Sequence, residues 1–205
     1  MSFYGIFVLV SFFILILMIF LSIRKLRQKG ISATSGAGKS SNSPFIYLIF
    51  GSVLLVWIFE VLKTAFQIQL SFLPDKFTEM LFDSVPLIIS GIVIVIFSIL
   101  FLKITLIGFG ESLRFGLDKN NKGKLVTKGI FSVSRNPFFL SLDLYFSGIA
   151  LIFPNIFFIG FAILTIVSIH LFILKEEKFL HRVYGEEYEN YSKKVKRYIN
   201  ISKRN

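Results

Sequence analysis

The sequence contains no cysteine and only two histidines, His170 and His181. The absence of thiols excludes disulfides, thiolate nucleophiles and thiolate metal sites. The histidines are not spaced as H-x-x-H or H-E-x-x-H, so the sequence predicts no bound metal. No G-x-S-x-G segment is present to build a serine nucleophile. Any chemistry must therefore come from the remaining ionisable groups.

Acidic residues are also scarce, because 12 Asp and Glu stand against 23 Lys and Arg and leave a net charge of +11. Hydrophobic residues make up 54% of the 205 residues, and 26 of them are Phe. This composition lies far outside that of soluble proteins and predicts an integral membrane protein. The positive charge fits anionic membrane lipids, and we expect no nucleic-acid partner because no soluble basic domain is present.

Five apolar segments predict an all-α protein with five transmembrane helices, at about residues 3–23, 45–70, 85–106, 137–153 and 156–174. Pro154 and Asn155 separate the last two segments and favour a tight helical hairpin. A short interfacial helix is expected near the C-terminus, with Tyr184, Tyr188 and Tyr191 along one face. We divide the chain into an N-terminal part, 1–106, with helices 1 to 3, and a C-terminal part, 107–205, with a cytoplasmic loop, helices 4 and 5 and the C-terminal helix.

The basic residues predict the orientation of the chain in the membrane. They concentrate after the first, third and fifth segments, whereas the loop after the second segment contains Lys76 together with Asp75, Glu79 and Asp83. Lys and Arg in short loops stay on the cytoplasmic side. The N-terminus is therefore expected outside, and the C-terminus inside.

The cytoplasmic loop at 29–43 is rich in Gly and Ser and contains a phosphate-loop-like run, ATSGAGKS, at residues 33–40. Such a loop binds phosphate when it joins a buried strand to a helix, and neither neighbour is predicted here. We interpret the segment as a linker.

Four charged residues fall inside predicted membrane helices, and one of them, Lys103, is close enough to the end of its helix for its side chain to reach the membrane surface. Glu60 and Lys63 share a helix face at a spacing of three residues, which predicts a structural ion pair. Asp143 is either functional, as buried carboxylates in membranes commonly are, or paired with Lys63 or Lys103.

Two polar segments lie next to apolar runs and are expected to meet at one membrane face. The first is GKLVTKGIFSVSRNPFF at 123–139, and the second is KEEK at 175–178. Taken alone, Arg135-Asn136-Pro137 also fits a surface anchor followed by a helix start, and the glutamate pair also fits a solvated helix face.

The order of these residues resembles a known family. LVTKGIF at 125–131 and SRNPFF at 134–139 resemble the LVTxGpYxxxRHPxY signature of the isoprenylcysteine carboxyl methyltransferases and their bacterial relatives. EEKFLHRVYGEEYENYSKKVKR at 176–197 resembles the ending of that family and of the phospholipid methyltransferases. Gly108-Phe109-Gly110 is similar to a G-x-G segment of the phospholipid branch. The resemblance runs from the third apolar segment to Arg197.

This resemblance implies a membrane methyltransferase that binds S-adenosylmethionine from the cytosol, with a lipid-like or prenylated acceptor entering from the bilayer. The implied catalytic residues are Arg135 and Asn136. The implied cofactor-binding residues are Gly123, Lys124, Leu125, Val126, Gly129, Phe131, Asn136, Pro137, Phe138, Phe139, Glu176 and Glu177. Neighbouring helical residues diverge by about 100°, so the two glutamates are expected to have different roles. The resemblance implies Glu176 as the ligand contact, and Glu177 is then expected to orient Arg135 or to face solvent.

The departures from the family pattern concern the acceptor more than the donor. Asn136 replaces the usual histidine, Phe131 and Phe139 replace tyrosines, and Phe172 occupies the place of a substrate-binding arginine. Carboxyl methylation of the isoprenylcysteine type is the most similar reaction. The Asn form resembles bacterial members, which implies the bacterial inner membrane. The alternatives are an NADPH-dependent reductase of the sterol or enoyl type and a non-catalytic lipid-binding protein.

Overall fold

A computed structural model describes residues 1–30, 44–110 and 125–199, except for the side chains of residues 44–50. Most of the loop at 29–43, with its phosphate-loop-like run, lies outside the described residues, as do Gly123 and Lys124. The regular secondary structure of the described residues is entirely helical, with no strand. The α-helices are α1 (Phe3–Gln28), α2 (Pro44–Phe66), α3 (Asp75–Thr78), α4 (Val85–Phe109), α5 (Pro137–Ile152), α6 (Ile156–Tyr184) and α7 (Glu186–Lys194), and a 3-10 helix spans Gly129–Ser132.

Three helices of the described residues, α1, α4 and α6, are long and apolar enough to cross a membrane, and α5 is a shorter apolar helix. The all-helical prediction is confirmed, whereas the number of five spans stays a prediction. Helix α6 continues without a break past residue 174, where the last apolar segment was expected to end, because no glycine or proline occurs between that residue and Gly185. It ends at Gly185, whose φ of 54° suits glycine at a helix terminus.

Small residues allow the closest helix contacts. On α4 and α5, a Cβ added to Gly91 would lie 2.6 Å from the carbonyl oxygen of Gly148, so neither position has room for a side chain. In the same way, a Cβ added to Gly5 of α1 would lie 2.5 Å from the Cα of Ala65 in α2. Close backbone approach through small residues is the usual way in which membrane helices associate.

Aromatic rings fill the centre of the bundle. Trp57 of α2 is 1% exposed. Its ring lies 4.9 Å from that of Phe12, 5.6 Å from that of Phe146 and 5.5 Å from that of Phe161, measured between centroids. These contacts join α1, α2, α5 and α6 around one core.

Helices α5 and α6 form the predicted hairpin. Pro137 occupies the first position of α5, where its missing N–H costs no hydrogen bond. Asn155 caps α6, because its side-chain oxygen accepts a hydrogen bond from the N–H of Phe158 at 2.9 Å. The tight turn makes the helices antiparallel, so the start of α5 lies beside the end of α6.

Candidate functional site

Glu177 is the centre of a charged cluster at the end of the hairpin where α5 begins. One carboxylate oxygen, Oε1, lies 3.0 Å from Nη2 of Arg135 and accepts a hydrogen bond from Nδ2 of Asn136 at 3.2 Å. The other, Oε2, accepts from Nη2 of Arg197 at 2.8 Å and from its Nε at 3.1 Å. Two arginines thus share one carboxylate, and the cluster keeps a net positive charge.

Backbone contacts hold the C-terminal segment against residues 134–136. The N–H of Arg135 donates to the carbonyl oxygen of Lys196 at 3.1 Å. The hydroxyl of Ser134 donates to the carbonyl oxygen of Arg197 at 3.3 Å, and Nδ2 of Asn136 donates to the same oxygen at 3.2 Å. These bonds fix the backbone at Arg197, so less conformational entropy is lost when its guanidinium contacts Glu177.

A small apolar cluster supports this segment from the side of α7. It consists of Phe131, Tyr188, Tyr191 and Val195. The hydroxyl of Tyr191 donates to the carbonyl oxygen of Phe131 at 2.7 Å. Tyr188 and Tyr191 of α7 therefore pack against the 3-10 helix, and their exposed fractions are only 4% and 7%.

A cavity of about 710 Å³ opens beside the charged cluster. Most of the residues that line it are polar or basic: Arg135, Leu174, Glu177, Lys178, His181, Arg182, Tyr188, Ser192 and Arg197. This volume lies within the range of about 300–1,000 Å³ that is usual for small-molecule sites. The excess of cationic side chains suits a ligand that carries a carboxylate or a phosphate.

Three buried polar atoms around the cluster have no hydrogen-bond partner among the described residues. They are Nε of Arg135, Oε2 of Glu176 and the hydroxyl of Tyr188. Buried polar atoms are normally paired, so the unpaired atoms of Arg135 and Tyr188, which line the cavity, indicate contacts reserved for a ligand. A donor from an arginine and an acceptor from a glutamate together match a zwitterion, which offers both a carboxylate and an ammonium group.

Tyr188 is held in its neutral form. Burial raises the pKa of its phenol, and the nearby charge of Glu177 raises this pKa further. The guanidinium carbon of Arg135 lies 6.0 Å from the centroid of the Tyr188 ring, which is a cation–π distance. The neutral hydroxyl is therefore available as a hydrogen-bond donor. The pKa of Arg197 is raised by its hydrogen bond to Glu177.

The structure brings together Arg135, Asn136 and Glu177, three of the predicted site residues. Glu177 contacts Arg135, which is one of the two roles expected for Glu177. Glu176, the preceding residue, has an oxygen without a hydrogen-bond partner among the described residues. Asn136 uses its amide to bridge Glu177 and the Arg197 carbonyl.

Other predicted residues lie in the packing around the cluster. Leu125 and Val126 pack against the apolar cluster that contains Phe131, and Gly129 is an exposed residue with a φ of 65° at the start of the 3-10 helix. Pro137 and Phe138 are buried at the start of α5, and the ring of Phe139 lies 5.4 Å from that of Phe172. Gly108 lies under Phe131, since an added Cβ would come within 3.3 Å of its ring.

Three residues of the cluster were not among the predicted site residues. Arg197 closes the C-terminal motif, and its place in that motif was the available signal. Ser134 and Tyr188 act through a backbone contact and a ring contact, which no local pattern predicts. His181 lines the cavity, whereas His170 accepts or donates a hydrogen bond with the Tyr198 hydroxyl at 2.7 Å. Among the described residues, no group of three or more His, Cys, Asp or Glu side chains is placed to hold a metal.

The model of a family described as "Phospholipid methyltransferase" matches residues 80–187, just over half of the chain. The match includes the turn before α4, the hairpin of α5 and α6, and the cluster residues Arg135, Asn136 and Glu177. It ends before Arg197. No curated protein matches the chain.

Proposed function

The chain belongs to the phospholipid methyltransferase family, a family of membrane methyltransferases, and we propose that it transfers a methyl group from S-adenosylmethionine to a lipid-like or prenylated acceptor. The observation that carries this proposal is the convergence of Arg135, Asn136 and Glu177 from both family motifs beside a cavity of about 710 Å³.

The chemistry of the cavity supports the methyl donor. S-adenosylmethionine carries an amino-acid group, two ribose hydroxyls and a flat adenine. The cationic side chains around the cavity suit its carboxylate, and the unpartnered Oε2 of Glu176 is an acceptor for its ammonium or a hydroxyl group. Tyr188 offers a ring face and a neutral hydroxyl at the same wall.

Each residue of the cluster has a role that does not require a metal or a proton carrier. When bound, the sulfonium supplies an activated methyl group. Arg135 and Asn136 then position the ligand, while Glu177 and Arg197 hold both of them in place. Alignment of donor and acceptor accounts for most of the rate that a protein can add to an in-line displacement.

The acceptor is proposed to enter from the bilayer, because the bundle is apolar on its outer surface. Carboxyl O-methylation of the isoprenylcysteine type is the reaction most similar in sequence. Asn136 is not a base near neutral pH, so the reaction needs an acceptor that is already nucleophilic or a base elsewhere in the protein.

The orientation completes the proposal. The basic residues favour an N-terminus outside, and a C-terminus and cavity in the cytoplasm, where S-adenosylmethionine is made. Membrane lipids surround the spans, and the bacterial inner membrane is the proposed location. No nucleic acid or metal takes part.

The test is to incubate the purified protein with S-adenosylmethionine that carries a labelled methyl group, in vesicles made from total bacterial lipid. Label should enter the lipid fraction, and Glu177→Gln should abolish its transfer. If the label entered the small-molecule or the protein fraction instead, the acceptor would be a small molecule or a protein and not a lipid. A folded wild-type protein that transfers no label to any fraction contradicts the proposal.

A further inference from the structure

A second buried carboxylate lies deeper in the hairpin than the charged cluster. Asp143 of α5 is 8% exposed, and its Oδ1 has no hydrogen-bond partner among the described residues. A carboxylate among apolar side chains is costly unless it is paired or binds something. Lys63, one partner expected from the sequence, bonds to Glu60 and Ser71 instead.

Ring contacts on both sides of Asp143 place it between α5 and α6. One turn before it, the ring of Phe139 lies 5.4 Å from that of Phe172. One turn after it, the ring of Phe146 lies 5.3 Å from that of Phe161. Since residues three and four apart share a helix face, Asp143 belongs to the face of α5 that packs against α6.

The other faces of α5 are occupied. The hydroxyl of Tyr145 lies 3.0 Å from that of Ser11 on α1, and Gly148 packs against Gly91 on α4. At about 100° per residue, both positions point well away from Asp143.

A histidine of α6 lies within about one helical turn of the level of Asp143. Asn136 meets Glu177 at 3.2 Å. Moving seven residues inward on each helix, about 10 Å, leads from Asn136 to Asp143 and from Glu177 to His170. Nδ1 of His170 and the hydroxyl of Tyr198 share a hydrogen bond of 2.7 Å. Burial raises the pKa of Tyr198, and the charge of Asp143 raises this pKa further.

An apolar groove of about 370 Å³, lined mainly by α5 and α6, lies next to this level. It begins at Ser147 of α5 and Ile166 of α6, one turn beyond Asp143 and His170, and its lining includes Ala150, Leu151 and Ile163. Ser147 has the only polar side chain among the described residues that line it.

We propose that the groove between α5 and α6 binds one amphiphile, with a hydrogen-bond-donating polar group, an amine or a hydroxyl, at Asp143 and its hydrocarbon chain in the apolar groove. His170 and Tyr198 complete the polar end of this site. An anionic head group is disfavoured because it would face a buried carboxylate. Only the identification of this amphiphile with the methyl acceptor rests on the proposed function.

The test uses two photoactivatable probes with the same sixteen-carbon chain, an amine and a carboxylic acid, and no methyl donor. The fraction of α5–α6 peptide that is labelled is measured by mass spectrometry against probe concentration. For the wild-type protein in detergent, we expect the amine to reach half-saturation at a concentration at least about tenfold lower than the acid. Asp143→Asn should remove this preference, and Tyr198→Phe should reduce it.

Two further variants separate head-group recognition from general damage. Ile163→Trp narrows the mouth of the apolar groove on an exposed face, so it should weaken both probes equally and keep the preference for the amine. Asp83→Asn, an exposed aspartate outside the groove, should change nothing.

Equal half-saturation of amine and acid in the wild type would overturn the inference, as would an unchanged preference in Asp143→Asn. The wild-type comparison decides even if Asp143→Asn does not fold. Binding of S-adenosylhomocysteine is measured separately, so a protein that binds the amine but no adenosyl ligand would refute the proposed function and leave the amphiphile site standing.

Discussion

Two regions of this protein bury a glutamate, and the two are neutralised in different ways. In α2, Glu60 pairs with Lys63, one turn away on the same helix, at 3.3 Å. At the hairpin end, Glu177 gathers arginines from two separate segments, at 3.0 and 2.8 Å. The first pair stabilises one helix, whereas the second joins α6, the start of α5 and the C-terminal segment.

The comparison shows which features mark a site. Glu60 also has a buried oxygen without a partner among the described residues, so an unpartnered atom alone does not indicate ligand binding. Glu177 differs because charges from distant segments converge on it and a cavity of about 710 Å³ adjoins it. Charged residues that converge from distant segments therefore indicate a site more strongly than an unpartnered buried atom does.

The largest expected effect comes from Glu177→Gln, which breaks the long-range cluster. Arg135 and Arg197 would keep their charges without a carboxylate between them. Removing one partner of a buried ion pair lowers the free energy of unfolding by about 3–5 kcal/mol, and the low end of this range applies here because Arg197 is partly exposed. We expect binding of S-adenosylhomocysteine, measured by calorimetry, to weaken at least about 100-fold. Affinity close to that of the wild type would show that the cluster is only structural.

Glu176→Ala should have the next largest effect. If Oε2 of Glu176 bonds the donor directly, its loss weakens donor binding by roughly 1–3 kcal/mol. The stability of the protein should hardly change, because that oxygen has no partner among the described residues. Calorimetry and a thermal unfolding curve measure the two quantities. An unchanged affinity in the folded variant would remove Glu176 from the site.

Arg197→Gln tests whether the second arginine supports Glu177 or binds the ligand itself. The Arg197 side chain is 34% exposed, so solvent weakens its ion pair, and we expect donor affinity to fall by about 1 kcal/mol. Arg197→Lys keeps the charge but loses the paired geometry of the guanidinium, and should recover only part of the loss. Full recovery by lysine would mean that charge alone matters.

The smallest effect is expected from Glu60→Gln, the matched control for Glu177→Gln. Glutamine keeps a hydrogen-bonding group beside Lys63, and Lys63 also donates to Ser71 at 2.8 Å. Donor affinity should stay within about twofold of the wild type, a difference below 0.5 kcal/mol. A loss like that of Glu177→Gln would erase the distinction between the two regions.

Much of the fold was predictable because it depends on local patterns. The apolar runs, Pro137 and the Pro154-Asn155 turn predicted the helices and the hairpin, and the three-residue spacing predicted the pair of Glu60 and Lys63. The site was predictable only where sequence motifs marked it, at Arg135, Asn136 and the glutamates. The segment that carries Arg197 is held near Glu177 by hydrogen bonds from the Ser134 hydroxyl to the Arg197 carbonyl and from the Arg135 N–H to the Lys196 carbonyl, and such contacts between distant segments have no periodic signal.

The central claim is that the cluster around Glu177 builds a site for an adenosyl methyl donor. Its most direct test is calorimetric titration of the purified full-length protein in detergent with S-adenosylhomocysteine, with NADPH titrated in parallel. We predict saturable binding of S-adenosylhomocysteine at one site per chain, lost in Glu177→Gln and kept in Glu60→Gln, and no binding of NADPH. A folded protein that binds NADPH but not S-adenosylhomocysteine would contradict this account.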